Sequence, residues 1–435
     1  MRIGLLGLGT VGAGTYRVLA RNQSLIQARA GRQIVTTQVA VRDLARAAAI
    51  AGTDVALTTD PFSVVTDPDI DVVVEVIGGT TLAKALVLRA IEHGKHVVTA
   101  NKALLAEHGS EIFAAAEARG VAVAYEGAVA VSIPIIKALR ESLVANHIEW
   151  LAGIINGTSN FILTEMRSKG LSFDAALADA QRLGYAEADP SFDVDGIDAA
   201  HKLCLLAANA FGSTLQFQQI DIQGITELQV ADMAYAEQLG YRIKLLGIAK
   251  RSDAGLELRV HPALVPVEHL MASVEGSMNA VMVKSDAAGI TLHYGAGAGS
   301  EETASAVIAD LVDLASTFGA DAHQRVPHLA FQSQALQALP VLPMTELVGN
   351  YYLRFDLAEG DDEGVVAHAL EQLVQTGVEV QSHALLLHHQ DRARRAFTLI
   401  TGPARLAKLL QSVNRLQQLP HGLGAPTVLR VEQFT

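Results

Sequence analysis

Over the first third of the chain, short apolar β-branched runs alternate with longer stretches whose apolar positions recur every three to four residues. Residues 2–6 (RIGLL) read as a buried strand, and a helical period then holds to about Ala20. Further strands are expected at about Val35–Val41, Asp71–Ile77, His96–Ala100 and 121–125, with one helix ending near His93 and another spanning 103–119. Strands separated by helices of about 10–15 residues predict an α/β arrangement, a doubly wound parallel sheet covered on both faces.

The period then changes. Pro134 opens a helix to about Val144, Ile148–Ile155 reads as a strand, and Asn156-Gly157-Thr158-Ser159-Asn160 as a polar turn into a helix over 161–169. β-Branched runs at 241–249, 257–260 and 279–293 predict a second sheet in a mixed α+β region. Ser300, with Glu301 and Glu302 behind it, is the expected N-cap of an apolar helix to about Thr317. Pro340 and Pro343 mark a linker. From Gly349 the order is strand (YYLRFDL), helix 363–375, strands Val378–Leu387 and Arg395–Thr401, helix 403–417 and strand Thr427–Glu432. That β-α-β-β-α-β order is a ferredoxin-like unit, and without a catalytic cluster it reads as a regulatory or oligomerisation module. The expected domains are 1–145, completed by the helical stretch 301–340, then 146–300 for catalysis and dimerisation, and 349–435.

Glycines add chemistry to this frame. Gly7-Leu8-Gly9-Thr10-Val11-Gly12 follows the first strand and opens the first helix, where such a spacing lets a pyrophosphate approach a helix N-terminus. The placement predicts a Rossmann-type dinucleotide site; the alternative is a glycine turn without a ligand. The second strand ends at Arg42-Asp43. An acid there suits a ribose 2′-hydroxyl and an arginine a 2′-phosphate, so Arg42 favours NADP while Asp43 leaves NAD open. Ligands of such sheets bind outside the carboxyl ends of the strands, which puts Gly78–Thr81 and Asn101-Lys102 on the cofactor side. Lys102 is a candidate for cofactor or substrate; otherwise it is a solvated loop lysine. A second glycine-rich turn, 295–300, reads as the far wall of the active site or as a chain reversal between domains.

Composition works by exclusion. With 33 basic and 46 acidic residues the 435-residue chain carries a formal charge of -13, which argues against nucleic acid and anionic membranes as partners. Mean hydropathy is +0.27, yet no apolar run approaches the roughly 18 residues that span a bilayer. The opening MRIGLLGLGT leaves no room for a signal peptide, and a single cysteine, Cys204, fits a reducing compartment. A cytoplasmic enzyme with a small-molecule substrate is the expectation.

The chemistry concentrates in Arg182–Phe211, where Glu187, Asp189, Asp193, Asp195 and Asp198 precede an apolar helix. Asp198 and Lys202 stand four apart on it, so their side chains share a face. Burial of that helix would desolvate Lys202 and lower its pKa towards useful proton transfer, while Asp198 opposes this. The plainer alternative is a surface ion pair near a helix N-terminus. A nicotinamide cofactor implies hydride transfer. Cys204 is read as a buried structural thiol, so no thioester chemistry is expected and carbonyl–alcohol interconversion remains, with Lys202 handling the hydroxyl proton. Glu187 and Asp198 could hold a substrate ammonium. His201 with Cys204, and the pair His388-His389, lack a complete tetrahedral set for zinc.

The motifs GLGTVGAG at 7–14, VVTANKALLA at 97–106, INGTSNFIL at 155–163, LGYAEADPSFDVDGIDAAHKL at 183–203 and GAGAGSEETASAVIADL at 295–311 resemble those of homoserine dehydrogenases, and the resemblance runs from residue 1 to the C-terminus. It implies NAD(P)H-dependent reversible reduction of L-aspartate 4-semialdehyde to L-homoserine, the branch step towards threonine and methionine. It also implies Lys202 as proton donor and Glu187 and Asp198 as substrate ligands. Gly9, Thr10, Val11, Gly12, Lys102, Gly184 and Gly299 would line the cofactor and substrate cleft. The family's structural sodium would fall on Glu126, Val129, Val131 and Ile133, with Ala130 and Ser132 where glycine or another small residue is usual. The C-terminal region resembles an ACT domain, implying threonine as an effector. Its first turn, Asp361-Asp362-Glu363-Gly364-Val365, has Glu363 where proline is usual. No kinase-like region precedes residue 1, so the resemblance is to the monofunctional form, and the open second sheet would pair in a homodimer or homotetramer. The competing readings are an amino-acid dehydrogenase acting by oxidative deamination and a non-catalytic NAD(P)H-binding regulator.

Overall fold

The computed structural model of the chain describes residues 1–319, 325–357, 362–387, 395–418, 423 and 426–434. Strands β1 (Arg2–Leu6), β2 (Val35–Ala40), β3 (Ala56–Thr58), β4 (Val72–Glu75), β5 (His96–Thr99) and β6 (Val123–Ala124) form a parallel sheet in the order β3-β2-β1-β4-β5-β6. Apart from Val35 at the start of β2, their Val and Ile side chains are buried on both faces, as a parallel sheet between helical layers requires. The helices are α1 (Thr10–Arg21), α2 (Gln23–Ala30), α3 (Leu44–Ala51), α4 (Pro61–Thr66), α5 (Thr81–Glu92) and α6 (Lys102–Arg119). Strand order reverses between β1 and β4, the switch point at which such sheets hold ligands.

The chain then makes one turn of helix, α7 (Ile135–Lys137), which widens into a π turn over Ala138–Ser142. The helix expected to run regularly to Val144 is broken there because Leu143 N–H bonds to Ala138 O, five residues back. A second layer comprises β7 (Ile148–Ile154), α8 (Gly157–Lys169), α9 (Phe173–Leu183), α10 (Ser191–Val194), α11 (Ile197–Phe211), β8 (Asp221–Ile222) and α12 (Val230–Gln238), followed by β9 (Tyr241–Ser252), β10 (Gly255–Pro266), β11 (Met278–Ser285) and β12 (Gly289–Ala296). The run 279–293, expected as strand throughout, folds into the antiparallel hairpin of β11 and β12, with Ser285 opposite Gly289. Helix α8 starts at Gly157 rather than 161 because Asn156 caps it, accepting the Ser159 N–H at 2.7 Å.

Helix α13 (Ser300–Ser316) returns to the first sheet, where Ala304, Val307 and Leu311 share a core with Ile3, Leu5, Val72 and Val74. Ser300 is not its N-cap. Gly299 holds that position, and the Ser300 hydroxyl donates instead to the Thr10 carbonyl at 2.6 Å, because α1 and α13 approach closely. The helix ends at Ser316, so the described part of 317–340 is not helical beyond a short 3-10 turn at Ser333–Ala335.

The last unit contains β13 (Val348–Leu357), α14 (Asp362–Gln375), β14 (Val380–Leu387), β15 (Arg395–Thr401), the short β16 (Ala404–Arg405), α15 (Leu406–Gln417) and β17 (Thr427–Val431). Its four main strands run β17-β13-β15-β14, all antiparallel, the order of a ferredoxin-like fold. It is not hung on a free linker. Leu256 N–H donates to Pro340 O and Leu342 N–H to Leu256 O, both at 2.8 Å. β17 then pairs in parallel with β10, so among the described residues the second sheet continues into this unit as one sheet of 11 strands. Asp361 and the pair His388-His389 lie outside the described residues.

Candidate active site

Helix α11 is apolar nearly all round and buried along its length, which carries Asp198 and Lys202 into the interior with it. The Lys202 ammonium donates to Asp198 Oδ2 at 2.8 Å and to the Ile155 carbonyl at 2.7 Å. An ammonium has three N–H donors. Among the described residues the third meets no acceptor. Desolvation lowers the Lys202 pKa below its ordinary value; Asp198 opposes that and the nearby Lys102 charge adds to it.

Asp198 is the hub. Burial alone would raise its pKa, but the charges of Lys202 and Lys102 and the hydrogen bonds from Lys202 and Asn156 hold it well below the usual carboxylate range. Lys102, the first residue of α6, stands at the carboxyl end of β5 with its amine 3.0 Å from Asp198 Oδ1 and 5.6 Å above the Phe192 ring. The alternative of a solvated loop lysine is thereby set aside. Asn156 has a role the linear reading missed. Its amide donates to Asp198 Oδ2 at 2.8 Å and to Asp193 Oδ1 at 2.7 Å, while its oxygen caps α8. Asp193 is also drawn in, its pKa raised by burial and by the Asp198 charge. The retrievable signal was an N-cap asparagine opening a helix directly after a strand.

Glu187 is exposed and none of the described side chains hydrogen-bonds its carboxylate, though its charge reaches Lys102. Its carbonyl accepts from the Gln181 amide at 3.1 Å. Gly184 ends α9 in the left-handed region, φ 78°.

At the carboxyl end of β1, Gly9 is the N-cap of α1, and Thr10, Val11 and Gly12 form its first turn. A Cβ on Gly12 would stand 2.1 Å from Gly7 O, whereas one on Gly9 would meet nothing within 4 Å. The turn is therefore closed inside and open where a phosphate would approach, which fits a dinucleotide. Gly299, with φ 148°, brings the second glycine turn against it: a Cβ on Gly14 would stand 2.4 Å from Ser300 O. Arg42 is exposed just past β2, and Asp43 is occupied as the N-cap of α3, accepting Arg46 N–H at 3.0 Å. Lys202, Asp198 and Lys102 thus come together at one point and Gly9, Thr10, Val11, Gly12 and Gly299 at another, while Arg42 and Gly184 touch neither group directly.

Glu126, Val129, Val131 and Ile133 lie in the buried loop after β6. Both Glu126 carboxylate oxygens are engaged, by the N–H groups of Ile136 (3.0 Å) and Lys137 (2.8 Å), and burial lifts its pKa to about 7. Val131 has φ 52°, rare for a β-branched residue. Among the described residues no donor meets the Val129 or Val131 carbonyl, whereas that of Ile133 accepts from Ile135 N–H at 2.8 Å.

A glycine turn opening a helix at the switch point, with a buried lysine–carboxylate pair tied through Lys102 to the carboxyl end of β5 in the same sheet, defines a nicotinamide-dependent oxidoreductase. The family model "Homoserine dehydrogenase, NAD binding domain" matches residues 7–126 and "Homoserine dehydrogenase" matches 134–312. The homoserine dehydrogenase of Pseudomonas aeruginosa is 52% identical over 435 residues, covering 100% of this chain and 99% of that protein. That of Neisseria gonorrhoeae is 52% identical over 382 residues, 88% of this chain and 87% of its own. Among solved structures, a homoserine dehydrogenase from Thiobacillus denitrificans superposes with TM-score 0.93 at 54% identity, over 99% of this chain and 98% of that one. The enzyme from S. aureus gives 0.77 at 31%, over 100% and 99%. The chain belongs to the homoserine dehydrogenase family, oxidoreductases that interconvert L-homoserine and L-aspartate 4-semialdehyde with a nicotinamide cofactor. Among the described residues no helix is long and apolar enough to cross a membrane.

Proposed function

We propose that Lys202 is the acid–base group of this reaction, giving a proton to the aldehyde oxygen during reduction and taking it from the hydroxyl during oxidation. The observation that carries this reading is the one N–H of a buried ammonium left without an acceptor. The cofactor, when bound, supplies or accepts the hydride. Asp198 and the Ile155 carbonyl aim the amine, and Lys102 balances the Asp198 charge. Both Asp198 oxygens are already engaged, so Glu187 is the carboxylate freer to meet the substrate ammonium. Gly9, Thr10, Val11, Gly12 and Gly299 cradle the cofactor phosphates, with Gly184 at the substrate side. Lys202→Ala tests the role: kcat in both directions should fall roughly 10²–10⁴-fold, the worth of general acid–base help, with cofactor affinity retained. A near-wild-type rate would refute it.

NADP is the favoured cofactor because Arg42, at the end of the second strand where a 2′-phosphate would be met, has no side-chain partner among the described residues, while Asp43 is committed to capping α3. Arg42→Ala should weaken NADPH roughly 10–100-fold, the worth of a lost charged hydrogen bond, and NADH little. The left-handed Val131 and the unpaired carbonyls of Val129 and Val131 suit a hard cation such as sodium, which takes oxygen ligands. Glu126, whose carboxylate is spoken for, and Ile133 would complete the set.

The C-terminal unit serves as an ACT-type threonine sensor, and the enzyme, at the branch step towards threonine and methionine, assembles as a homodimer or homotetramer in the cytoplasm. The assembly reading is supported by β12, an open edge strand with Ile290 and Tyr294 exposed.

A further inference from the structure

Strand β4 ends in a residue that a sheet interior does not by itself call for. Glu75 follows Val72, Val73 and Val74, all fully buried, and is itself fully buried. Removing a carboxylate from water is costly unless protein donors replace it. Here they do. Oε1 accepts from the N–H groups of Ile77 (3.0 Å) and Gly78 (3.4 Å), and Oε2 accepts from the Thr99 hydroxyl on neighbouring β5 at 2.6 Å. The Thr99 oxygen in turn accepts the Asn101 N–H at 3.0 Å. Asn101 ties back to the first turn, donating to Gly79 O at 2.7 Å, and caps α6 by accepting Leu104 N–H at 3.1 Å. The next residue is Lys102, 3.0 Å from Asp198.

The N–H groups of Ile77, Gly78 and Asn101 can only donate, so Oε1 must accept. An ionised carboxylate accepts at Oε2 as well, and takes the Thr99 proton there. A glutamine has the same shape, but it keeps an acceptor for Ile77 and Gly78 only by turning its NH₂ group to Thr99, which leaves that hydroxyl without its acceptor. Gly78 and Gly79 adopt left-handed φ of 74° and 71°, folding the turn over the carboxylate, and a Cβ on either would meet nothing within 4 Å. The outer side of the turn is thus uncovered.

We propose that Glu75 is a positioning residue: it fixes the spacing between the Ile77–Gly79 and Thr99–Lys102 turns, so that the cofactor meets a preformed wall and Lys102 is held against Asp198. This rests on the reading of Lys102, Asp198 and Lys202 as the site, so cofactor binding is measured separately from turnover. Burial raises the Glu75 pKa, with the Thr99, Ile77 and Gly78 hydrogen bonds opposing, and the network loses its acceptor if that proton is taken up.

The test uses the full chain carrying Glu75→Gln, Thr99→Val, Thr99→Ser or the Glu75→Gln/Thr99→Val pair. Melting temperature, NADPH and NADH affinity by fluorescence titration, and kcat and KM are measured for each. Glu75→Gln should keep its melting temperature, weaken the better cofactor roughly tenfold and lower kcat roughly tenfold, the scale of one charged hydrogen bond. It should also remove the acid limb that Glu75 contributes to the pH profile of kcat/KM. Thr99→Val should reproduce these losses, Thr99→Ser should restore wild-type behaviour, and the double variant should be no worse than either single, since the residues act as one unit. Unchanged affinity and kcat in Glu75→Gln overturn the proposal, as do additive losses in the double variant or a lowered melting temperature with kinetics intact. Should Glu75→Gln not fold, equal kinetics of Thr99→Val and Thr99→Ser overturn it. A wrong assignment of the site would show otherwise: Lys202→Ala would turn over normally while Glu75→Gln still weakened the cofactor.

Discussion

Two lysines flank one buried carboxylate at Asp198, and the chemistry depends on which of them yields a proton. We propose Lys202, because it is the more deeply buried and its ammonium is destabilised by desolvation, while Lys102 is part-exposed and held charged by Asp198. The sign of the pH dependence follows. Reduction needs the Lys202 ammonium, so its kcat falls as pH rises through a pKa lying below the ordinary 10.5. Oxidation needs the free amine, so its kcat rises through the same value. Matched limbs of opposite slope are expected in wild type, and neither in Lys202→Ala; a reductive rate flat to pH 10.5 would contradict the role. Asn156→Asp should move both limbs upward, since a third carboxylate beside Asp193 and Asp198 favours the charged lysine. The Asp198–Lys202 pair was legible because helical spacing alone places it. Asn156 was not, because it reaches Asp198 and Asp193 from 42 and 37 residues earlier in the chain, where α8 and α11 both pack on α10.

Elements were legible where period and punctuation agreed. Five strands of the first sheet, the glycine turn into α1 and the order of the C-terminal unit follow from apolar, largely β-branched runs and their glycine punctuation, whereas the three-residue edge strand β3 is too short to show a pattern. Misreadings fell where tertiary contact decides a local detail. Ser300 looks like a cap until α1 is brought so close that the Thr10 carbonyl takes its hydroxyl. The β11–β12 turn, Asp286–Ala288, carries no glycine before Gly289, so the hairpin read as one strand. The tight β1–α1 turn also makes a prediction. Gly12→Ala would force a Cβ to within 2.1 Å of backbone that cannot swing away. The β1–α1 turn should open, abolishing cofactor binding by titration. Gly9→Ala, which points into empty space, should leave the melting temperature unchanged and weaken the cofactor alone. Equal effects of the two on stability would argue against this account of the turn.

At the scale of the molecule, the C-terminal unit is built into the catalytic region rather than tethered to it. Arg354 of β13 donates to Asp232 at 2.7 Å, and Asp232 also caps α12 by accepting Gln229 N–H at 2.9 Å. Both members are buried. At the β10–β17 seam, Glu432 accepts from Arg259 at 3.0 Å, and Arg430 lies 3.3 Å from it, its charge helping to hold that carboxylate in its ionised form. Removing one member of a buried pair costs about 3–5 kcal/mol because the other is left uncompensated, whereas replacing both with apolar groups costs far less. Arg354→Met should therefore lower the melting temperature sharply and Arg354→Met with Asp232→Leu should recover part of it, short of the capping bond lost at α12. Truncation before Val348 does the same damage at three places at once. It strips Asp232 of its partner, takes the Glu432 carboxylate from Arg259, and exposes the β10 edge. The shortened chain should aggregate or lose its assembly by light scattering, in contrast to a detachable sensor whose loss merely abolishes a threonine response. If it instead stays folded, assembled and active but blind to threonine, the shared sheet is incidental and the unit is regulatory only.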